Sequence, residues 1–242
     1  MTKSLIPVGL FTLACGVFAS TAQAADLRAS PVLIDPGPGV RTATLTIINE
    51  EQTPMKVQVR VEAWSQQDGQ NVLVPTKDVV ASPPFVALAP GQHYLVRVVR
   101  TAKAPPKGEE AYRVLVDEVP DPNSNTPGAV KLIVRQSIPA FFSDEPRRTA
   151  IVDWSVAGEG TGIQLVAKNR GTRRLRLSDV SLESNGKPVY HQSGLVGYVL
   201  PGTTMHWPVG ADPSFAADKS LHLKATSDTG AVEVSLADAP RP

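Results

Sequence analysis

The sequence predicts an all-β protein of two sandwich domains, and three observations support this prediction. Short runs alternate apolar and polar residues with a period of two, and no segment shows a clear helical period. Turn residues recur between these runs, and the chain contains 22 Pro and 18 Gly. Its 242 residues are enough for two domains of about 100 residues each.

The first residues are typical of an export signal. Lys3 precedes a mostly apolar run from Leu5 to Phe18, and Ala22-Gln23-Ala24 provides the small-x-small pattern that precedes a cleavage site. We therefore predict a signal peptide over residues 1–24. The mature protein is expected in the periplasm, without insertion in the membrane.

Two other interpretations of this segment are weaker. A lipoprotein signal would use Cys15, but Thr12 lies three residues before it, where an aliphatic residue is expected. A retained membrane helix would require a longer run, without the interruptions at Pro7 and Gly9.

Composition and motifs argue against several functions. Lys and Arg number 24 against 23 Asp and Glu, so neither a nucleic acid nor an acidic membrane is predicted as a partner. The one cysteine lies in the predicted signal, so the mature domains must be held together by their cores. No phosphate loop, nucleophile elbow or His-Glu-x-x-His motif occurs. The histidines lack metal-ligand spacing: His93, His191, His206 and His222. We expect no enzymatic activity, metal or cofactor.

The first domain is predicted from a series of alternating segments. Met55 to Trp64 places three valines on one face and charged or amide side chains on the other, which is typical of a half-buried antiparallel strand. Further strands are predicted over Thr42–Ile48, Tyr94–Arg100, Ala111–Val119 and Val130–Phe142. About seven strands in this half suit an immunoglobulin-like sandwich.

A second, smaller immunoglobulin-like domain follows a polar stretch. Ser143 to Arg148 is the predicted linker, which gives domains over 25–144 and 145–242. Strands are then predicted over Ile151–Val156, Gly162–Lys168, Leu175–Leu182, Met205–Val209, Leu221–Thr226 and Ala231–Leu236. Turn signals such as Asn185-Gly186 separate them.

An ordered series of motifs in the first domain resembles a known family. Ser82-Pro83-Pro84-Phe85, Leu88-Ala89-Pro90-Gly91-Gln92 and Leu95 to Thr101 are followed by Val114 to Pro120. In this order they resemble the PapD-like chaperones, periplasmic proteins that assemble pili and fimbriae. The second domain matches more weakly, for example at Leu200-Pro201-Gly202.

The resemblance implies a boomerang of two immunoglobulin-like domains that caps fibre subunits by donor-strand complementation. Such subunits lack their last strand, and the seventh strand of the chaperone's first domain fills the resulting groove. The matching strand here is Val130 to Ile138, in which Val130, Leu132 and Val134 share the face that would enter the groove. The alternative is that these three are ordinary core residues.

The implied partners are pilus or fimbrial subunits and an outer-membrane usher. While free, the chaperone is expected to protect this edge strand, for example by self-association.

The family's usual anchors for the subunit's terminal carboxylate are absent. The Arg of the first strand and the Lys of the seventh align with Pro31 and Pro139, which carry no side-chain donor. This departure is similar to the divergent archaic branch of the family, whose subunits resemble spore-coat-like pilins. A charge-assisted bond would still fix the register of the subunit. The predicted replacements are Arg113 and Arg135, with Arg28 and Lys131 behind them. The alternative is that each is merely a solvated surface cation.

The resemblance also implies a buried acid–Arg pair between the domains. Asp228 matches the acid, whereas the Arg position holds Ser143, so Arg147 or Arg148 is the expected replacement. The absence of cysteine from the mature chain favours a short donor strand, because the family's long-donor variant carries a disulfide.

Two rival functions remain open. A structural or adhesive immunoglobulin-like module of a surface fibre would share the fold, because fold alone does not fix function. An exported hydrolase or binding enzyme that used the scattered histidines would show turnover or bound metal.

Overall fold

The computed structural model describes residues 27–120, 133–146, 148–158, 163–210 and 221–236. Sixteen strands are the regular elements of these residues, and no helix among them is long and apolar enough to cross a membrane. The predicted signal peptide over 1–24 lies outside the described residues. The same is true of Val130, Lys131, Leu132 and Arg147.

The first nine strands form a sandwich of two antiparallel sheets. They are β1 (Leu27–Ser30), β2 (Thr42–Asn49), β3 (Met55–Gln67), β4 (Gln70–Pro75), β5 (Val79–Ser82), β6 (Phe85–Leu88), β7 (His93–Arg100), β8 (Glu110–Val119) and β9 (Arg135–Phe142). One sheet has the order β1-β2-β7-β5, and the other has the order β4-β3-β8-β9 with β6 beside β3. The valines of β3 predicted to share a face are buried in the core between the sheets, because alternate side chains of a strand point to opposite faces.

The remaining strands form a second sandwich. They are β10 (Val152–Ala157), β11 (Ile163–Asn169), β12 (Leu175–Ser184), β13 (Lys187–Val199), β14 (Thr204–Gly210), β15 (Leu221–Ser227) and β16 (Gly230–Ser235). Its sheets have the orders β10-β11-β14 and β13-β12-β15-β16, and they enclose a separate core. The predicted all-β, immunoglobulin-like fold is therefore confirmed. The predicted domain division at residues 144 and 145 stays a prediction, and it lies between β9 and β10.

An aromatic cluster joins the two sandwiches. Trp64 and Phe141 lie on the outer face of the β4-β3-β8-β9 sheet and pack against Tyr198 and Leu200 of the second domain. The β3–β4 turn reaches the same domain, where Gly69 bridges Met205 of β14. Gly69 has a φ of +72°, and a Cβ there would lie 2.6 Å from a ring carbon of His206. Only glycine fits this turn without displacing that ring.

Candidate functional site

Strand β9 is an edge strand, and its outer side is covered over only part of its length. On the inner side it pairs antiparallel with β8, from Arg135 opposite Asp117 to Phe142 opposite Glu110. On the outer side Ile34 donates its N–H to the carbonyl of Pro139 at 2.9 Å, and Phe141 donates its N–H to the carbonyl of Ile34 at 2.9 Å. The first half of β9 has no such cover among the described residues.

The uncovered half of β9 presents main-chain groups that can pair with another strand. Successive residues of an edge strand direct their N–H and C=O groups alternately inward and outward. Arg135 and Ser137 therefore direct theirs outward, as Pro139 and Phe141 do. Ile34 bonds to the outward groups of Pro139 and Phe141, but no residue in the described part of the chain forms a hydrogen bond with those of Arg135 and Ser137. Such an edge can accept an added strand from another chain.

The side chains of β9 and of the segment before it alternate between the sandwich interior and the outer face. Ile138 is buried in the core, and Val134 and Gln136, on the same face, are half-buried. Ile133 and Arg135 lie on the opposite face, where Ile133 is 55% exposed. Val134, the one predicted donor residue among the described residues, thus lies half-buried on the face that continues into the sandwich core.

A cluster of three charged side chains ties the start of β9 to its neighbours. The carboxylate of Asp117 on β8 accepts a hydrogen bond from Arg135 Nε at 2.5 Å and one from Arg60 Nη2 at 2.7 Å. Burial raises the pKa of Asp117, but the bonds from the two guanidinium groups outweigh it and hold that pKa below its ordinary value. The cluster therefore bridges β3, β8 and β9 while Asp117 is ionised.

Replacing Asp117 with Asn is expected to loosen the first half of β9. Amide hydrogen exchange at Gln136, whose N–H points inward to β8, and at Glu118, which donates its N–H to the carbonyl of Val134, should become severalfold faster, whereas exchange in β2 and β7 should not change. Wild-type protein should show the same loosening in acid, because a carboxylate with a lowered pKa contributes its stabilisation above its unfolded pKa and loses it as pH falls through the folded pKa. Unchanged protection of the Glu118 and Gln136 amides in the variant would contradict the role of this cluster.

Arg113 lies at the junction of the domains, directly opposite Pro139 across the β8–β9 pair. Its guanidinium carbon is 3.8 Å from the centroid of the Trp64 ring and 5.7 Å from that of Tyr198. Burial lowers the pKa of Arg113, and no carboxylate of the described residues pairs with it. Residues opposite each other on neighbouring strands are about 5 Å apart. A cation is therefore present one strand away from the position where the family carries its Lys.

Two of the other predicted anchors have acidic partners, and the third lies outside the described residues. Arg28 forms an exposed ion pair with Glu50 at 3.0 Å, and Arg135 is held by Asp117. Lys131 lies outside the described residues. Among the candidates that the structure describes, Arg113 is the one without an acidic partner, and so the one best suited to bind an incoming carboxylate.

A buried ionic cluster connects the two domains. Glu109, immediately before β8, accepts hydrogen bonds from the Arg174 N–H at 2.8 Å, from Arg174 Nη1 at 2.7 Å and from Arg148. Arg174 also donates to Asp35 at 2.8 Å and stacks on Phe141, 3.7 Å from its ring centroid. Burial raises the pKa of Asp35, but the bond from Arg174 and the nearby cations outweigh it, so that pKa is lowered.

Asp228, the acid predicted to pair with an Arg between the domains, forms its described hydrogen bonds within the second domain. Asp228 accepts hydrogen bonds from Arg173 and from the N–H of Arg176, both in the second domain. Asp228 lies in the turn between β15 and β16, whereas Glu109 and Asp35 lie at the junction of the domains. Arg148, one of the two suggested replacement cations, is part of the junction cluster.

The histidines are placed separately. His191 bonds to the hydroxyl of Ser193 at 2.9 Å, and His206 packs against Gly69. Within the described ranges, no group of three His, Cys, Asp or Glu residues could hold a metal ion.

Comparisons with known proteins bear on this site. Residues 30–147 match the family described as pili and flagellar-assembly chaperone, PapD N-terminal domain. A search of the curated proteins found no match.

The solved structures that this chain resembles include a chaperone alone and two chaperone–subunit complexes. One is the complex of chaperone CsuC with tip adhesion subunit CsuE from archaic Csu pili of Acinetobacter baumannii, with 21% identity, a TM-score of 0.67 and coverage of 86% of this chain and 97% of the other. The E. coli chaperone DraB has 25% identity, a TM-score of 0.59 and coverage of 86% and 96%. The complex of pilin SafA with chaperone SafB from Salmonella enterica has 20% identity, a TM-score of 0.61 and coverage of 88% of this chain and 98% of the other.

Proposed function

This chain belongs to the PapD-like family of pilus-assembly chaperones, and from that premise we propose that it caps fibre subunits in the periplasm by donor-strand complementation. It would lend the predicted donor segment, Val130 to Ile138, whose last residues belong to β9, to the open groove of a subunit. It would then deliver the subunit to an outer-membrane usher. There the N-terminal extension of the next subunit would replace the lent strand.

The observation that carries this proposal is the open edge of β9 beside Arg113, a cation without an acidic partner among the described residues. The outward main-chain groups of Arg135 and Ser137 can bond to the edge of the subunit groove, and each such bond is worth about 0.5–1.5 kcal/mol. Burial of Val130, Leu132 and Val134 in the groove would add about 1.5–3 kcal/mol per side chain. These contributions can hold a subunit without any cofactor, and no nucleotide is implied.

Arg113 is proposed as the anchor for the subunit's terminal carboxylate. It lies opposite Pro139, and it has no acidic partner among the described residues. A planar guanidinium binds a carboxylate through two parallel hydrogen bonds, which fixes position as well as adding energy. The replacement of both usual anchors by Pro31 and Pro139 is the reason for assigning the chain to the archaic branch of the family.

The proposal is tested by co-expressing the full chain, with its leader, and the fibre subunit encoded beside it. A soluble one-to-one complex should be recovered from the periplasm, and without the chain the subunit should aggregate or be degraded. Subunit recovery that does not depend on the chain would overturn the proposal. Recovery of the chain within assembled fibres would instead support the rival structural or adhesive module.

A further inference from the structure

The stacking of Arg113 occupies the flat face of its guanidinium group and leaves the edge available. The five N–H donors of a guanidinium lie in its plane, so a ring beneath the plane does not compete with an acceptor at the edge. None of the Arg113 nitrogens is among the buried, unpaired side-chain atoms of the described residues. With no acidic partner there either, this donor edge remains accessible to solvent.

The Trp64 ring beneath Arg113 is itself held firmly. Trp64 is 5% exposed, and its Nε1 donates to the side-chain oxygen of Asn71 at 2.9 Å. Gln66 donates to the same oxygen at 3.0 Å. Because Asn71 lies on β4, this bond links the ring of Trp64, on β3, to the other strand of the hairpin.

The second domain completes this support. Tyr198 meets Trp64 edge-on, with ring centroids 5.4 Å apart and an angle of 85° between the planes. Gln66 Nε2 donates to the carbonyl of Tyr198 at 2.9 Å, and Leu200 donates its N–H to Gln66 Oε1 at 2.8 Å. The amide of Gln66 thus fixes the position of Tyr198 relative to Trp64.

Glu62, the nearest acidic residue in the strand register, does not neutralise Arg113. It lies directly opposite Arg113 across β3 and β8, yet the cation it approaches is Arg60, at 3.8 Å. Arg60 also bonds to Asp117. Glu62 and Asp117, the acids on this face, therefore interact with Arg60 and Arg135. The guanidinium of Arg113 can accordingly donate to an acceptor from another chain.

We propose that Trp64 is a positioning residue for Arg113, holding the donor edge of the guanidinium toward a partner's terminal carboxylate, and that Tyr198 supplies the second domain's share of this support. The inference rests on the proposed function and adds a requirement to it: carboxylate recognition depends on the aromatic contact between the domains. An Arg side chain without the ring would occupy many rotamers, so each bond to the carboxylate would cost more ordering entropy.

The test uses the fibre subunit of the co-expression experiment in two forms. One form has its own C-terminus, and the other is extended by two glycines, which moves the carboxylate by about 7 Å. Affinities are measured for the full-length mature chaperone by competition. Charge-assisted bonds are worth about 1.5–3 kcal/mol, so wild type should prefer the native form roughly ten- to hundredfold.

The expected result is loss of this preference in Trp64→Leu and retention of most of it in Trp64→Phe. Arg113→Ala gives the reference in which the carboxylate is not recognised. If Trp64→Leu does not fold, Tyr198→Leu tests the same support from the other domain. A variant that weakens binding of both forms equally, and so keeps the wild-type preference, would show that the ring is merely structural and would overturn the inference.

Failure of the proposed function gives a different result. In that case wild type binds neither form of the subunit, and the inference falls with it. Binding of both forms by wild type with equal affinity would leave donor-strand complementation standing and overturn only the carboxylate recognition.

Discussion

Replacing Val130, Leu132 and Val134 with Asp is expected to abolish recovery of a subunit complex. The three changes remove about 1.5–3 kcal/mol of apolar burial per side chain. They also place carboxylates in an apolar groove, where an unpaired charge is very costly. Val134→Asp alone should weaken binding at least roughly a hundredfold, since each 1.4 kcal/mol is a factor of ten. The measurement is the affinity for the fibre subunit, with co-expression yield as a second readout.

Ile133→Asp provides a matched control for Val134→Asp. The two residues are adjacent, but Ile133 lies on the opposite face and is 55% exposed, so an Asp there stays in water. Leu95→Asp, on the other sheet and 62% exposed, tests the effect of added charge alone. Both controls should bind the subunit nearly as wild type does. Equal affinity of Val134→Asp and Ile133→Asp would mean that the predicted face does not enter the groove.

The strands that could be predicted from sequence are those with one buried face. β2, β3 and β7 alternate because one side of each packs on the core, and their predicted bounds agree with the observed ones to within a few residues. β13 was not predicted. It is a sheet edge whose pairing with β12 shifts register three times, and it contains Gly194 and Gly197, so its side chains show no steady period.

The candidate site was predictable only in part, because its contacts are not local. Arg113 could be noticed as a cation that interrupts an apolar strand, but the rings that support it come from distant parts of the chain. Similarly, Glu109 and Glu110 are adjacent, yet Glu110 pairs with Arg100 in the first domain while Glu109 faces the second. No sequence pattern distinguishes two neighbouring acids whose roles depend on how the domains dock.

Removing the charge of Arg174 is expected to destabilise the protein more than any other single change at the domain junction. Arg174 is 1% exposed and bonds to both Glu109 and Asp35. Arg174→Met keeps much of the side-chain volume but leaves Glu109 buried with Arg148 as its remaining cation. Breaking a buried ion pair from one side typically costs about 3–5 kcal/mol. Denaturant unfolding of the purified mature protein should show a loss of that size in the free energy of unfolding.

The double variant Glu109→Leu with Arg174→Met separates charge from packing. When both partners become apolar, the uncompensated charge of Glu109 is gone, and Arg148, which loses Glu109, keeps Asp35 at 3.5 Å as its acidic partner, so part of the lost stability should return. Recovery should be incomplete, because the N–H of Arg174 loses its acceptor on Glu109 and Asp35 loses its bond to Arg174. Lys224→Ala, which breaks an exposed pair with Glu183, should change little. A loss in Arg174→Met no larger than in Lys224→Ala would mean that the aromatic cluster, rather than these charges, holds the domains together.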